Sequence, residues 1–277
     1  MRSKPIGKDT VLCISLAGKP SNFGATLFGL LFEKMGMDWA YKPIQVDLMG
    51  LPGAVAAIRA LHIRGCGVSM PHKIQVIRYL DCVVPAAKKI GAVNTIVNNN
   101  GILIGHNTDY LGFARAVGEK CGLNGKSAVV LGNGGAARAA VLALKKLGTK
   151  KIFVCARNKR KAKKLCAEFK CAYLPRNGIR NCGAYLFFNA TPVGMFSNVS
   201  KMPITKNELA SFKAVADVVN NPVETSLIRT ARRTGKTTIP GYKMSLYQGL
   251  AQFELYTGRK PSLAGIERNV VAALRKR

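Results

Sequence analysis

The chain has 277 residues, of which 48% are hydrophobic, and this is enough apolar material to bury a core in one large domain or two modest ones. A globally disordered protein is therefore excluded. No apolar run reaches the roughly 18 residues that a membrane-spanning helix needs. The first apolar stretch, Val11–Ala17, is interrupted by Ser15 and lacks the cleavage site of a signal peptide. We expect a cytoplasmic protein without a membrane segment.

The charge of the chain is unusual. There are 43 Lys and Arg residues against 13 Asp and Glu residues, which gives a net charge of +30. Such a charge attracts polyanions non-specifically at low salt, so a nucleic-acid-associated protein is one hypothesis. The basic residues are spread along the whole chain, however, and no helix-turn-helix, zinc-finger or RNA-binding aromatic motif accompanies them. We expect no specific nucleic-acid partner.

Eight cysteines are present, but none of them forms a C-x-x-C pair, and the three histidines do not supply the spacing of a zinc site. Cys13, Cys66 and Cys155 lie in apolar, strand-like segments, which is typical of buried and reduced thiols. We expect no metal centre.

The first hundred residues contain short apolar runs in a pattern of alternating strands and helices. This alternation predicts an α/β sheet that is at least partly parallel. The runs are Val11–Ala17, Leu27–Met35, Tyr41–Val46, Val55–Leu61, Gly65–Met70 and Ile74–Leu80.

An Asn-Gly pair at positions 100 and 101 separates the apolar segments Ala92–Val97 and Ile102–Ile104. An Asn-Gly pair between two apolar segments is a strong signal for a β-hairpin. The hairpin leads the chain to Asp109, and we place a domain crossing just after this residue.

A second α/β pattern begins at Ser127, with a strand, a glycine turn, a helix, a strand and a helix in succession. The turn reads G-x-G-x-x-A from Gly132 to Ala137. In a dinucleotide-binding loop of this kind Gly132 makes the tight turn, Gly134 lets the backbone approach a pyrophosphate, and Ala137 lets the helix pack on the strand. The flanking strand and helix favour a dinucleotide site over an ordinary structural turn.

The loop after the next strand indicates which nicotinamide cofactor is preferred. NAD enzymes usually carry an acidic residue there for the ribose 2′-hydroxyl, whereas this chain has Ala156-Arg157-Asn158-Lys159-Arg160. A basic loop suits the 2′-phosphate of NADP. Because bases are abundant everywhere in this chain, NAD stays open as an alternative.

Two side chains have the chemistry of proton transfer. Lys73 follows a predicted strand at a proline turn, and Asp109 lies at the domain crossing. Hydride transfer from an alcohol needs a group that takes the hydroxyl proton, and a lysine partnered with a carboxylate can move it in both directions. Taken alone, a lysine in so basic a chain is more often a solvated surface group.

Nearly the whole chain resembles the shikimate dehydrogenases, and most closely a divergent shikimate/quinate dehydrogenase-like branch of that family. The resemblance is carried by a series of motifs in the family's order. They are Val68–Lys73, Ala92–Thr95, Asn107–Asp109, Gly132–Arg138, Asn189–Thr191, Gly194-Met195, Asp217 with Asn221-Pro222, and Gln248 through Phe253 to Gly258.

The resemblance implies an α/β protein with an N-terminal substrate-binding domain and a Rossmann-type, doubly wound NAD(P)-binding domain. We expect the substrate-binding domain to span residues 1–109 and the dinucleotide-binding domain to span residues 110–242. The C-terminal helices, residues 243–277, would return to the substrate-binding domain.

Carried over residue by residue, the resemblance implies a dehydrogenase that interconverts shikimate, or a related cyclic polyhydroxy acid, and its 3-keto form. Lys73 and Asp109 would be the catalytic pair. The residues implied at the substrate are Thr26, Ser69, Asn94, Asp109 and Gln248. The residues implied at the cofactor are Gly132, Asn133, Gly134, Gly135, Ala136, Arg157, Asn158, Thr191 and Met195. Without the family pattern, ordinary structural hydrogen bonding would be the preferred reading for the two asparagines Asn94 and Asn189, and for Thr191 and Gln248.

The chain departs from the family pattern at two places. Typical members carry two serines that bind the substrate carboxylate, and Gly24 and Thr26 fall at those positions here, so one hydroxyl is absent. Losing it would cost about 1.5 to 3 kcal/mol of binding free energy. We therefore expect Gly24→Ser to improve shikimate binding unless Gly24 has a positive φ. The second departure is Asn220, which replaces a tyrosine.

Three hypotheses follow from the sequence. The first is an active dehydrogenase of a shikimate-like acid, acting as a monomer or homodimer in aromatic amino acid biosynthesis. The second is a cofactor-binding paralogue with another substrate, such as quinate or aminoshikimate, or with a regulatory role. The third is the nucleic-acid-associated protein. The presence of both Lys73 and Asp109 favours the first hypothesis.

Overall fold

A computed structural model describes residues 5–196 and 198–275. The chain divides into two compact units, each of which is described by itself. Unit 1 comprises Met1–Thr108 and Gly249–Arg277, and unit 2 comprises Asp109–Gln248. Each unit combines helices with one β-sheet, so the expected α/β fold class is confirmed.

The strands, in chain order, are β1 (Val11–Ala17), β2 (Trp39–Gln45), β3 (Gly65–Val68), β4 (Cys82–Val83), β5 (Thr95–Asn99), β6 (Ile102–His106), β7 (Ser127–Leu131), β8 (Lys151–Cys155), β9 (Ala172–Tyr173), β10 (Leu186–Asn189), β11 (Ala214–Asp217) and β12 (Thr237–Ile239). The α-helices are α1 (Phe23–Lys34), α2 (Leu51–Ala60), α3 (Pro85–Ile90), α4 (Asp109–Gly118), α5 (Gly135–Lys146), α6 (Lys159–Phe169), α7 (Lys206–Ala210), α8 (Ser226–Arg233), α9 (Gly241–Thr257) and α10 (Ile266–Arg275). Within the described parts of the chain, no helix has the length and apolarity to cross a membrane.

The sheet of unit 1 has six strands in the order β2-β1-β3-β5-β6-β4. Strand β1 runs parallel to β2 and β3, whereas β5 is antiparallel to both β3 and β6. The turn between β5 and β6 places Asn100 (φ 51°) and Gly101 (φ 91°) in the left-handed region, as a type I′ hairpin requires. The hairpin expected from the Asn-Gly pair is confirmed.

The two faces of this sheet are packed with different side chains. One face carries aromatic rings: Phe28 stacks on Tyr41 with a centroid distance of 4.5 Å and lies 5.8 Å from Tyr256. Strand β3 makes room for these rings with glycine, because a Cβ at Gly65 would lie 2.3 Å from the Tyr256 ring. The opposite face packs aliphatic side chains of the sheet against α2, and these are Ile14, Leu16, Cys66 and Val68 against Leu51, Val55 and Ile58.

The sheet of unit 2 is parallel throughout, in the order β12-β11-β10-β7-β8-β9. Counted along the chain within this unit, the strands follow the order 3-2-1-4-5-6 of a doubly wound dinucleotide-binding sheet. The strands are almost continuously apolar because helices cover both faces of such a sheet. The order reverses between β7 and β10, so the loops after these two strands lie at the switch point where ligands bind in folds of this type.

The close packing at Gly65 predicts opposite effects for the same substitution at two glycines. Gly65→Ala should lower the free energy of unfolding by about 1 to 3 kcal/mol, because the new methyl group would overlap the Tyr256 ring. Gly29 is exposed inside α1, and a Cβ there would meet no atom within 4 Å. Gly29→Ala should therefore stabilise the protein, by up to about 1 kcal/mol. Chemical denaturation measures both, and an unchanged stability for Gly65→Ala would contradict the packing described.

Candidate functional site

Residues 93–95, called here the Asn94 segment, connect the turn that carries Lys73 to the end of β6. The amide of Val93 donates to the carbonyl oxygen of Lys73 at 2.7 Å. The amide of Asn94 donates to the carbonyl oxygen of His106 at 3.1 Å. Because these bonds join backbone atoms, they fix the path of the chain on both sides of the segment.

The Asn94 side chain is 2% exposed, and its orientation is fixed by its neighbours. Its Oδ1 accepts from the backbone amide of Thr108 at 2.6 Å and from the hydroxyl of Thr95 at 2.8 Å. Its Nδ2 donates to the hydroxyl of Thr108 at 2.9 Å. The amide oxygen therefore faces protein donors, and the amide also holds the chain just before Asp109.

Ser69 and Lys73 lie on the turn after β3. The buried residue of this turn, His72, has its Nε2 2.9 Å from the carbonyl oxygen of Val46. Because a carbonyl can only accept, this ring nitrogen carries the proton. Ser69 is exposed and Lys73 is half-buried. Thr26, near the start of α1, is also half-buried and belongs to the same unit.

The surroundings of Gly24 differ from what the sequence led us to expect. Its φ is not positive, but a Cβ there would lie 2.8 Å from Cε1 and 2.9 Å from the hydroxyl oxygen of Tyr41. The Tyr41 hydroxyl is hydrogen-bonded to Ser15, and burial raises its pKa. A serine at this position would therefore have to displace the Tyr41 ring, and the expected gain in shikimate binding for Gly24→Ser stays a prediction.

The glycine turn of unit 2 has the geometry that its pattern predicts. Gly132 has φ 128°, and a Cβ there would lie 3.0 Å from the carbonyl oxygen of Ala190. A Cβ at Gly134 would meet nothing within 4 Å, and no side chain caps α5 at this residue. The first turn of the helix, with Gly135 and Ala136, therefore has no side-chain cap at its N-terminus, and helix N-termini of this kind are suited to bind phosphate groups.

The loop after β8 lies beside this turn. Asn158 caps α6 by accepting from the amide of Lys161 at 2.9 Å. The carbonyl of Asn158 accepts from Nδ2 of Asn133 at 3.3 Å, which connects the two loops. Arg157 is exposed, and α6 has no acidic residue in its first turn. The loop is therefore strongly positive, which suits a phosphate group.

A buried carboxylate organises the loop after β10. Nδ2 of Asn189 donates to Asp217 at 2.9 Å, and the Thr225 hydroxyl donates to the other carboxylate oxygen at 2.7 Å. The Thr191 hydroxyl donates to Oδ1 of Asn189 at 2.6 Å. Burial raises the pKa of the Asp217 carboxyl to about 6, although these hydrogen bonds oppose the shift. Further along the same loop, the backbone amide of Met195 donates to the carbonyl oxygen of Pro192 at 3.1 Å.

The remaining candidate residues belong to unit 2. Asp109 is 5% exposed and is the first residue of α4, where the helix dipole favours a carboxylate. Gln248 is half-buried on α9, and its Nε2 donates to the carbonyl oxygen of Ser245 at 3.2 Å. Asn220, at the second departure from the family pattern, donates to the hydroxyl of the same serine at 2.7 Å.

Comparison with known proteins identifies the family. Models of the shikimate dehydrogenase substrate binding domain, shikimate / quinate 5-dehydrogenase and the shikimate 5′-dehydrogenase C-terminal domain match residues 24–96, 114–211 and 241–270. A shikimate dehydrogenase-like protein of Haemophilus influenzae is 41% identical over 260 residues, which cover 93% of this chain and 94% of the relative. The chain belongs to the shikimate dehydrogenase family.

Two further members of the shikimate dehydrogenase family are similar over most of their length. A protein of Desulforamulus reducens named shikimate dehydrogenase (NADP(+)) is 38% identical over 250 residues, 86% of each chain. The solved shikimate 5-dehydrogenase of Thermus thermophilus, in complex with NADP(H) and shikimate, has a TM-score of 0.85 and 32% identity, covering 95% of this chain and 99% of that one. The expected combination of a substrate-binding domain and a Rossmann-type domain is confirmed.

Sequence reasoning missed three residues of this chain. Tyr41 fills the space beside Gly24, Thr225 donates to the carboxylate of Asp217, and Gln252 donates to the carbonyl oxygen of Asn94. The sequence does mark Gln252, because it lies one helical turn after the candidate residue Gln248 and therefore on the same side of α9. No local pattern marked the other two, because their partners are distant in sequence.

The raised pKa of Asp217 predicts a pH dependence of stability. The folded state binds the proton more tightly than the unfolded chain, in which the pKa is about 3.9. The contribution to stability is therefore present at low pH and is lost as the pH rises through about 6. Compared with Asp217→Asn, which cannot titrate, the wild-type free energy of unfolding should fall by about 2 kcal/mol between about pH 4.5 and pH 7.5. A constant difference between the two proteins would contradict this assignment.

Proposed function

We propose that this chain is an NADP-dependent dehydrogenase that oxidises shikimate, or a closely related cyclic polyhydroxy acid, to its 3-keto form and catalyses the reverse reaction. The observation that carries the proposal is the uncapped glycine turn at the switch point of a 3-2-1-4-5-6 sheet. The names of the relatives add the cofactor and the substrate. One relative is named with NADP(+), and one solved structure is a complex with NADP(H) and shikimate.

Unit 2 would hold the cofactor, which supplies the hydride acceptor when it is bound. The first turn of α5 and the preceding glycines would bind the pyrophosphate, and Arg157 with Asn158 would bind the 2′-phosphate. Thr191 and Met195 would contact the cofactor from the loop after β10. The full set is Gly132, Asn133, Gly134, Gly135, Ala136, Arg157, Asn158, Thr191 and Met195.

The substrate would bind through polar side chains. We assign hydrogen bonds with its hydroxyls to Ser69, Asn94, Asp109 and Gln248, and a bond with its carboxylate to Thr26. Lys73 would take the proton of the hydroxyl that is oxidised, at Nζ, and Asp109 would stabilise the charge that forms there. In the reverse direction Lys73 would return the proton to the carbonyl oxygen.

The alternative, a cofactor-binding paralogue with another substrate or a regulatory role, is not favoured. A protein with a regulatory role would not need the two proton-transfer residues, whereas both Lys73 and Asp109 are present. The relatives with the stated activity also match most of the chain, at 38% identity in one case.

The high positive charge would add non-specific binding of polyanions. Five basic residues lie on the exposed side of α6, and the single acid of this helix, Glu168, is paired with Arg138. We infer salt-sensitive binding without sequence preference. We place the enzyme, as a monomer or homodimer, in the cytoplasm, where its eight free thiols stay reduced.

Proton transfer by Lys73 and Asp109 is tested by their variants. Lys73→Ala should lower kcat for shikimate oxidation by about 100-fold or more and leave the Kd of NADP within about twofold. Asp109→Asn should also lower kcat, and the double variant should lose little more than the worse single variant. Lys88→Ala, at an exposed lysine of the same unit, is the matched control. Additive losses, or a Lys73→Ala enzyme that keeps most of its turnover, would remove the pair from the mechanism.

Selection of NADP by Arg157 is tested with both cofactors. Arg157→Ala should raise KM for NADP about tenfold more than KM for NAD, because only NADP has the 2′-phosphate. Arg180→Ala removes an equally exposed positive charge from the same unit and should not change the ratio. If each of the two variants raises KM for NADP and KM for NAD by the same factor, the preference for NADP comes from the overall charge and not from Arg157.

A further inference from the structure

Gln252 connects α9 to the Asn94 segment. It lies in the part of α9 that belongs to unit 1, and it is 5% exposed. Its Nε2 donates to the carbonyl oxygen of Asn94 at 3.1 Å and to the hydroxyl of Thr95 at 2.9 Å. A buried side-chain amide destabilises the protein unless it is hydrogen-bonded. The two amide hydrogens of Gln252 have one acceptor each, on the consecutive residues Asn94 and Thr95.

The bond from Gln252 determines the direction of the Thr95 hydroxyl. An amide N–H can only donate, so Oγ1 of Thr95 must accept from Gln252. The single hydroxyl hydrogen is then directed to another acceptor, and Oδ1 of Asn94 lies 2.8 Å away. Consecutive hydrogen bonds of this kind strengthen one another. The hydrogen bonds therefore run from Gln252 to Thr95 and from Thr95 to Asn94. The last residue of this series, Asn94, is the one to which we assign a hydrogen bond with the substrate.

We propose that Gln252 is a positioning residue for substrate binding. Through Thr95 it keeps Oδ1 of Asn94 turned to protein donors, so that the amide meets a substrate hydroxyl from its nitrogen side. Gln252 does not itself touch the substrate. This inference rests on the proposed function only in the role given to Asn94, since the hydrogen bonds themselves are independent of the reaction.

The kinetic test replaces Gln252 with methionine, which has nearly the same volume and no donor. Gln252→Met should raise KM for shikimate roughly 3- to 10-fold, as expected for a lost hydrogen bond, and leave kcat and KM for NADP within about twofold. Thr95→Val should have a similar effect. In an Asn94→Ala background Gln252→Met should change KM no further, because the group it positions is absent. Gln45→Met, the same substitution at an exposed glutamine of unit 1, is the control.

A second measurement does not depend on activity. The Thr108 amide donates to Oδ1 of Asn94 at 2.6 Å, so its hydrogen exchange, followed by NMR, reports whether Asn94 is held in place. Gln252→Met should speed this exchange about tenfold relative to the amide of Ile14 in the same sheet, and Gln45→Met should not.

The outcomes separate the two proposals. Unchanged KM with only a lower thermal stability, or an additive effect in the Asn94→Ala background, would overturn the positioning role. Unchanged exchange at Thr108 would overturn it as well. If the wild-type protein oxidises no shikimate at all, the proposed function fails, and the exchange measurement still decides whether Gln252 orients Asn94.

Discussion

The backbone hydrogen bonds of the Asn94 segment are the constraint on which the rest of unit 1 depends. The amide of Val68 donates to Asn94 at 2.7 Å, and the amide of Val93 donates to Lys73 at the same distance. These two bonds tie the end of β3 and the following turn to one short stretch of chain. The Asn94 side chain then holds Thr108, which precedes Asp109. Main-chain hydrogen bonds therefore fix the backbone at Lys73, and the Asn94 side chain fixes the end of this part of unit 1 at Thr108.

Unit 2 depends on a different and more local constraint. The glycine turn needs a positive φ at Gly132, which is a property of the residue itself, and it also passes close to Ala190, which is distant in sequence. The side chain of Asn133 reaches the neighbouring loop at Asn158. Consequently the glycine turn could be predicted from the spacing of its glycines, whereas its contacts with Ala190 and Asn158 could not.

The sequence predicted the strands of the βαβ pattern, the hairpin at Asn100-Gly101 and the family, because each has a short local signature. It did not predict that Tyr41 fills the space beside Gly24 or that Gln252 reaches Thr95, since those contacts join residues far apart in the chain. The glycine at position 24 was interpreted as a missing hydroxyl, whereas the structure shows it as the partner of an aromatic ring. The roles of individual site residues stay predictions until they are tested.

The glycine at position 24 therefore has a packing reason, because Tyr41 occupies the space that a side chain there would need. This makes the identity of the acid the central question. The most direct test is a kinetic panel of shikimate, quinate and aminoshikimate, each assayed separately with NADP and NAD at fixed ionic strength. The account predicts the highest kcat/KM for shikimate with NADP. Turnover of none of these acids with either cofactor would contradict it.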